Sequence, residues 1–445
     1  MSESFDATEP GIAPRHRLPL AIVALIAGLL LLAGLALNEA GNAGTQALRS
    51  SCIVLGDDTL HDGIPVWAAK VPMAPEWGQF LGGEDLALPE EWLIAIDLTA
   101  LPDADLLASG RLPQAGAAEV IAGPYTTQST LDVGGRQFSV SGTLNPSATA
   151  FSQCYVLPAT GPELLSGETL QEGRLLIEGR DYLRGLADLE PDALEARDIE
   201  IILGRAPASG AGRWTAFLGL VGVVAGGALI QVRLLAGVTR RAPRFVREFG
   251  QVMHDRRRAL YRLHVLLYGI FFAWMFAGLG MDKENFLLSA IVQNLFDGGS
   301  YDYIGDAYQS GNVLHAAWAT FYNNFIVQTA ALTVLTSLAP LMLGIFKTGM
   351  SLAMAGFVLA PIWSGGAFVF AFHSITMSLE LEAYVIACFG VWVWTVHCYR
   401  AVLWITPWRE LRDGAIHLVA ATGCAAVMLA IAALYEAATL IALAG

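Results

Sequence analysis

The sequence is poor in charge. Charged residues make up 15% of its 445 residues and apolar residues 55%, whereas soluble domains carry about 25% charged residues. The apolar residues gather in runs of about twenty, which is the length that crosses a hydrocarbon core of about 30 Å. Since lipid must then solvate part of the chain, the sequence predicts a membrane protein.

The sequence also lacks the short motifs of several enzyme classes. It contains no HExxH zinc motif, no GxSxG nucleophile elbow and no GxxxxGK[ST] phosphate loop. The last absence excludes a P-loop ATPase within the chain, and no Cys/His spacing typical of a metal site occurs. We therefore expect no catalytic residue, metal or cofactor. An intramembrane hydrolase using Ser364 and His373 stays open as a weaker alternative, because such pairs need no local motif.

Cysteine is scarce, with five residues in the chain. Cys388, Cys398 and Cys424 fall in apolar runs and are expected to be small packing residues. Cys52 and Cys154 fall in a stretch of soluble composition. In an oxidising compartment they could form a disulfide, and two buried free thiols are the alternative.

Seven apolar runs predict a polytopic α-helical membrane protein with about seven transmembrane helices. Residues 1–17 are predicted to be a polar cytoplasmic tail. A first run of twenty residues favours a retained anchor over a cleaved signal peptide, whose apolar region is shorter. Pro340 and Pro361 lie inside two runs and are expected to kink them. The runs are 18–37, 214–236, 263–280, 325–346, 350–372, 383–403 and 416–441.

Residues 38–212 have the composition of a soluble domain. Alternating apolar residues in 119–157 predict short strands, and Gly134-Gly135 between two such arms predicts a hairpin. Leu and Ala at helical spacing in 85–113 and 186–200 predict helices. The domain is therefore expected to be α+β. It carries 25 acidic against nine basic residues, which argues against nucleic acid as a partner.

Arginines set the expected orientation. Residues 233–262 hold nine arginines against Glu248 and Asp255, and positively charged loops stay in the cytoplasm. Residues 38–212, between the first two helices, are then periplasmic in a bacterial inner membrane, with the N-terminus cytoplasmic. Lys347 and the loop 404–415 fall on the same cytoplasmic side, which supports the assignment.

The basic segment 237–262 is predicted to contain an amphipathic helix. Phe245, Phe249, Val252 and Met253 share one face. Two interpretations stay open: attraction to anionic lipid, worth about 1 kcal/mol per Arg near the surface, or docking of a cytoplasmic partner. The docking candidates are Arg244, Arg247, Arg256, Arg257 and Arg258.

Polar residues at membrane depth are costly and are therefore functional candidates. Asn323-Asn324, at the start of the fourth helix, would either cap it or bond across helices. His373, Glu380 and Glu382 are expected in an outer loop, as a solvated loop or a proton-sensitive, partner-binding cluster.

Glu436 falls well inside the last apolar run. It would either contact another helix or extend outward to water.

The soluble stretch resembles the periplasmic core domain of macrolide-exporter-type ABC permeases over about 50 residues. The matching positions are Gly110-Arg111-Leu112-Pro113, Glu119-Val120, Val133-Gly134-Gly135, Phe138, Val140, Gly142, Pro146, Thr149, Phe151 and Tyr155-Val156. That domain also lies between the first two membrane helices. The resemblance implies an outer domain without catalytic residues that carries force or binds export partners.

Residues 260–445 resemble the stage II sporulation protein M family. The matching features are Asn323-Asn324, the turn Lys347-Thr348-Gly349, His373, and Glu380-Leu381-Glu382-Ala383. The Glu follows the His by seven residues here and by about four in the family, so a shared role of His373 and Glu380 stays open. The resemblance implies a membrane scaffold that works with peptidoglycan hydrolases.

Together these features predict a non-enzymatic inner-membrane subunit of a cell-envelope complex. The first hypothesis is an ABC-transporter-like permease or transmission subunit with a separate ATPase. The alternative is a scaffold that recruits or regulates cell-wall hydrolases. Membrane lipid and either set of envelope proteins are the expected partners, and a homo- or hetero-oligomer is expected because five helices rarely enclose a pathway.

Overall fold

The computed structural model of the chain combines a β-sheet domain with a bundle of helices. It describes residues 17–40, 51–57, 59–74, 90–101, 106–114, 116–146, 148–158, 170–177, 179, 182, 199–202, 207–296, 299–339, 342–363 and 367–444.

Ten strands form the sheet domain. They are β1 Cys52–Leu55, β2 Ile64–Val71, β3 Glu91–Ile96, β4 Leu107–Gly110, β5 Glu119–Ala122, β6 Thr130–Val133, β7 Arg136–Leu144, β8 Cys154–Pro158, β9 Gln171–Leu176 and β10 Glu200–Ile202. Their order is β10-β1-β9-β2-β3-β8-β5-β7-β4, with β6 paired to β7, and the β3–β8 and β5–β7 pairs are parallel.

The predicted hairpin is confirmed. Strands β6 and β7 pair antiparallel, with Val133 opposite Arg136. Gly134 and Gly135 form the turn with φ values of 59° and 73°. A two-residue turn with positive φ at both positions matches the right-handed twist of the strands that it joins.

The predicted helix in 85–113 is wrong over the described part of that range. Residues Glu91–Ile96 and Leu107–Gly110 are strands, and only Leu98–Ala100 form a short 3₁₀ turn. Strand β3 lies between the two cores of the sheet: Trp92 packs on one face, and Leu93 packs on the other. A strand buried on both faces shows no polar alternation, so its sequence resembles a helix segment. Of the other predicted helix, residues 186–198 lie outside the described residues.

Cys52 and Cys154 do not form a disulfide, because both are buried free thiols. Cys52 begins β1 and Cys154 begins β8. Three strands, β9, β2 and β3, lie between them in the sheet. At about 4.8 Å per strand the two residues are roughly 19 Å apart, well beyond the reach of a disulfide.

The helices follow in chain order. They are α1 Arg17–Ala40, α2 Gly210–Thr239, α3 Arg244–Asp255, α4 Arg257–Gly278, α5 Asp282–Phe296, α6 Asp302–Gln309 and α7 Val313–Phe321, then a π-helix Tyr322–Val334, a 3₁₀ turn Leu335–Ser337, α8 Leu343–Val358, α9 Ala367–Val402 and α10 Pro407–Ala444.

Four helices in the described part of the chain are long and apolar enough to cross a membrane: Gly210–Thr239, Arg257–Gly278, Val369–Val402 and Pro407–Leu443. Seven such helices are not supported. Within the described residues, Leu25–Leu37 of α1 and Leu343–Val358 of α8 form shorter apolar helical stretches.

The run 325–346 does not form one helix. Its π-helix ends at Val334, and Met342 has a left-handed backbone (φ 54°) directly before α8 begins. The run 350–372 is also divided, because α8 ends at Val358 and Pro361 lies between α8 and α9.

No outer loop separates the fifth and sixth predicted helices at His373, Glu380 and Glu382. All three residues lie inside the 36-residue helix α9. The helix continues because Ala, Phe, Met and Leu surround the polar residues and helix-breaking residues are absent from Ala367–Val402 except for Gly390. The buried surface of the helix carries these polar side chains into the bundle.

Helices α1 and α2 pack closely through glycines. A Cβ at Gly219 would collide with the backbone of Leu31, and a Cβ at Gly34 would collide with the backbone of Ala216. Small residues that let two helix backbones approach are typical of helix pairs in membranes. This pairing brings the start of the chain alongside the helix that follows the sheet domain.

Candidate functional site

The π-helix positions the asparagine pair. Thr329 Oγ1 donates to Asn324 O at 2.7 Å, and Thr333 Oγ1 donates to Gln328 O at 2.8 Å, each across five residues. Asn323 and Asn324 therefore lie within a continuous helical segment rather than at its start. The capping interpretation is wrong, because the N-cap of this segment is Asn312, which accepts from the backbone of α7. π-Helices often occur at functional sites.

The asparagines contact a carboxylate on another helix. Asn324 Nδ2 donates to Glu380 Oε1 of α9 at 2.6 Å. Asn323 Nδ2 in turn donates to Asn324 Oδ1 at 3.1 Å, and Asn323 Oδ1 is buried without a hydrogen-bond partner in the described structure. The second interpretation of the sequence, bonding across helices, describes this pair.

His373 and Glu436 complete the same group. His373 Nδ1 lies 3.4 Å from Glu436 Oε1 of α10, and the two side chains are only 24% and 14% exposed. Glu380 lies close enough to both residues to interact with them electrostatically. Glu436 thus contacts another helix and does not extend outward. We call this group the amide–carboxylate cluster; its members are Asn323, Asn324, His373, Glu380 and Glu436.

Two phenols border the amide–carboxylate cluster. Tyr308 and Tyr384 lie within electrostatic range of Glu380 and Glu436, and the Tyr308 hydroxyl is 3.0 Å from Thr320 Oγ1. The cluster and the two phenols therefore bring α6, the π-helix, α9 and α10 together through hydrogen bonds and electrostatic interactions.

Glu382 belongs to a different group. Two helix positions separate it from Glu380, which places the two carboxylates about 200° apart around α9. Its carboxylate is fully buried and lies 2.9 Å from His264 Nε2, while Tyr268 Oη donates to it at 3.2 Å. We call His264, Tyr268 and Glu382 the His264 triad.

A third polar group, the pair His397 and Glu410, lies where α9 meets α10. His397 Nδ1 lies 2.6 Å from Glu410 Oε2, and Arg400 Nη2 lies 3.1 Å from the other oxygen of the same carboxylate. The ring of His417 is 5.6 Å from that of His397. Arg400 supplies a permanent positive charge to this pair, which the His264 triad does not have.

Sequence reasoning missed His264, Tyr268, His397 and Glu410. His264 and Tyr268 stand four residues apart in the apolar run that forms α4, and residues at that spacing share one helix face. A histidine in such an apolar run was therefore a usable indication of a functional position.

Helix α3 and the first residues of α4 present the predicted docking arginines: two lie in α3, one lies between the two helices and two begin α4. Phe249 and Met253 are buried, with Phe249 against Phe389 of α9. Phe245, predicted to share this apolar face, is instead 45% exposed. The five arginines are all exposed: Arg244, Arg247, Arg256, Arg257 and Arg258.

The sheet domain is fixed to the bundle beside α2. Arg213 at the start of α2 holds Asp282 of α5 with two bonds of 2.6 and 2.8 Å. Tyr125 of the sheet domain stacks on Phe286 with ring centroids 4.5 Å apart, and Trp363 lies edge-on to Tyr125 at 5.7 Å. Burial raises the pKa of the Tyr125 phenol. Aromatic and charged contacts therefore connect the sheet domain to the bundle.

Among the described residues, no group of three His, Cys, Asp or Glu side chains could hold a metal ion. No family model matches the chain, and no curated protein or solved structure was found to match it.

Proposed function

We propose that the chain is a non-enzymatic membrane subunit that transmits movement between a cytoplasmic ATPase and an outer domain. The observation that carries this proposal is that the sheet domain and the arginine-rich segment lie at opposite ends of one helix, α2. The sheet domain precedes α2, and the arginine-bearing α3 follows it. The 30 residues of α2 span about 45 Å, enough to cross a membrane.

The orientation follows from charge. Exposed arginines surround the end of α2 and the whole of α3, and positive residues stay on the cytoplasmic side. Residues 38–212 then face the periplasm of a bacterial inner membrane. The resemblance of this stretch to the core domain of macrolide-exporter-type permeases supports the same arrangement.

The proposed docking surface consists of α3 and the three arginines that follow it, Arg256, Arg257 and Arg258. Its buried Phe249 and Met253 fasten it to the bundle, so a partner that binds the arginines moves α9 and α10 with it. The five arginines are exposed, and Arg244 is bonded to Glu248 at 2.7 Å. Such a basic surface suits an acidic protein face as well as anionic lipid.

The outer junction would receive the movement. Arg213 joins the first turn of α2 to α5, and the Tyr125–Phe286–Trp363 contact joins the sheet domain to the same region. A shift of α2 along its axis would therefore reach the sheet domain through defined contacts. This is the feature expected of a transmission subunit.

The test is capture of the tagged chain from native membranes in detergent, with partners identified by mass spectrometry. We expect a stoichiometric nucleotide-binding subunit, which is lost when Arg256, Arg257 and Arg258 are replaced by Glu. Replacing the same three residues by Lys keeps the charge and serves as the matched control. Retained association of the Glu variant, with unchanged membrane topology, would contradict docking on this segment.

A scaffold of the sporulation-protein-M type is the second candidate. One observation favours it: the contact between Asn324 and Glu380 joins two positions on which the resemblance to that family depends. In this case the captured partners would be cell-wall hydrolases or their regulators, without an ATPase. Asn324→Ala and Glu380→Gln would then reduce that capture, whereas the Arg-to-Glu variant would not.

An intramembrane hydrolase gains no support. His373 pairs with Glu436 across helices, and Ser364, its candidate nucleophile, lies outside the described residues.

A further inference from the structure

The His264 triad is enclosed between α4 and α9. Glu382 is 0% exposed and the His264 side chain 17%. Tyr268, one turn after His264 on α4, is also buried. A carboxylate at such a site is stable only when it is paired or protonated, because an isolated buried charge is very costly.

The contacts of the imidazole fix the number of protons. Nδ1 lies 2.9 Å from Leu260 O, and a carbonyl oxygen only accepts, so Nδ1 carries a hydrogen. Nε2 lies 2.9 and 3.1 Å from the two oxygens of Glu382. A bare lone pair on Nε2 would repel the carboxylate at this distance. A second proton therefore lies between Nε2 and Glu382, on one side or the other.

The charged neighbours of the triad face elsewhere. Tyr268 Oη donates to Glu382 Oε2 from α4 at 3.2 Å. Glu436 of α10 and Glu380 of α9 interact with His373 instead. On α2, Arg213 bonds Asp282 and Arg233 is exposed. Arg258 and Arg262 of α4 and Lys347 of α8 are exposed as well. Among the described residues, Glu382 forms its ion pair with His264, so the shared proton is the charge that neutralises the triad.

We propose that the His264 triad is a proton-binding site whose bound proton fastens α4 to α9. With the proton present, the triad is neutral overall and joins the two helices through three hydrogen-bonding groups. When it leaves, a buried carboxylate faces the Nε2 lone pair and the two helices repel locally. The proton thus acts as a ligand that holds α4 against α9.

The position of α4 extends the effect of the site. Only Arg256 separates α4 from α3. A change in the packing of α4 against α9 therefore changes the position of α3 as well. The bundle then responds to proton concentration on the side to which the triad opens. This inference holds for the isolated chain and does not depend on the identity of any partner.

The experiment uses the full chain, purified into lipid nanodiscs and labelled with ¹⁵N-histidine. His264→Gln assigns the resonances of His264. In the unmodified chain at neutral pH we expect Nε2 to be protonated or strongly hydrogen-bonded, and to become bare as the pH is raised. Glu382→Gln should abolish this transition, because a Gln amide donates permanently to a neutral ring. Glu410→Gln, which alters the His397 pair, is the matched control and should leave the His264 resonances unchanged.

Amide hydrogen exchange supplies the second readout. Compared with Glu382→Gln at the same pH, α4 and α9 of the unmodified chain should exchange faster above the transition and equally below it. A bare Nε2 at neutral pH would overturn the proposal, and so would a transition that persists in Glu382→Gln. Equal exchange in the two proteins at every pH would show that the proton does not fasten the helices. Since no partner is present, these outcomes are independent of partner capture.

Discussion

The sheet domain and the helical bundle satisfy buried carboxylates in different ways. In the sheet domain, Glu91 accepts from the backbone of Thr127 and from the Tyr155 hydroxyl, both within the same domain. In the bundle, Glu380 and Glu382 contact side chains of other helices. In the sheet domain one donor is a backbone N–H of the loop after β5 and the other is a side chain of the same sheet, whereas in the bundle the contacts are between side chains of separate helices.

This difference follows from the surroundings of each region. Water drives the burial of apolar side chains in the two cores of the sheet. Helices with an apolar exterior gain little from that effect, because lipid solvates apolar side chains as well as other helices do. Close packing of small residues and a few polar contacts must then set their arrangement. Disrupting a polar contact should therefore reduce the free energy of unfolding more in the bundle than in the sheet domain.

The largest effect is expected for His264→Leu. The substitution leaves the fully buried Glu382 with Tyr268 as its described partner, and removing one member of a buried pair costs about 3–5 kcal/mol. The double variant His264→Leu with Glu382→Met removes both charges and should recover most of the loss. Unfolding of each purified protein by denaturant in detergent measures both. An equal loss of unfolding free energy in the single and double variants would contradict a role for the unpaired charge.

A smaller effect is expected at the contact between α1 and α2. Gly219→Ala places a methyl group against the backbone of Leu31 and should destabilise the helix pair by about 1–3 kcal/mol. Gly237→Ala on the same helix is the control, because nothing lies within 4 Å of its Cβ position. Both changes improve helix propensity, so only the first should lower the denaturation midpoint. A parallel loss in both variants would indicate that α1 does not pack as described.

In the sheet domain, Glu91→Gln tests a carboxylate held by neutral donors. Burial raises the pKa of Glu91, while the bonds from Thr127 and Tyr155 lower it by less. The folded domain therefore binds this proton more tightly than the unfolded chain, and stability falls as pH rises from the ordinary carboxyl range through the raised pKa. Glu91→Gln should remove that fall. Exchange of the β3 amides as a function of pH measures it, and an unchanged pH profile in the variant would contradict the assignment.

The same comparison explains what the sequence could predict. The hairpin at Gly134-Gly135 depends on two adjacent residues and was correctly predicted from them. Strand β3 was not predicted, because burial on both faces removes the polar alternation that identifies a strand. Local signals thus succeeded where structure is local.

The polar candidates of the bundle were recognisable, but their pairing was not. Asn324 and Glu436 were identified because polar residues at membrane depth are costly, whereas Glu380 was identified as part of an expected outer loop. Asn324 and Glu380 are 56 residues apart, and His264 and Glu382 are 118 apart. No spacing rule links such positions, since the packing of whole helices brings them together. The outer loop was wrongly predicted for the same reason: three polar residues resembled a solvated loop when their partners were unknown.

The smallest effect is expected for Glu119→Gln at the edge of the sheet domain. The guanidinium of Arg111, followed by the backbone N–H of Gln114, lowers the pKa of Glu119 from 4.5 to about 2. A lowered carboxyl pKa stabilises the fold above 4.5, and this contribution is lost as the pH falls towards 2. Arg111 is 51% exposed, however, and exposed ion pairs contribute little. Glu119→Gln should therefore leave the neutral-pH midpoint nearly unchanged and only slightly reduce sensitivity to acid. An effect as large as that of Glu91→Gln would show that a charged pair at the surface matters as much as a buried carboxylate.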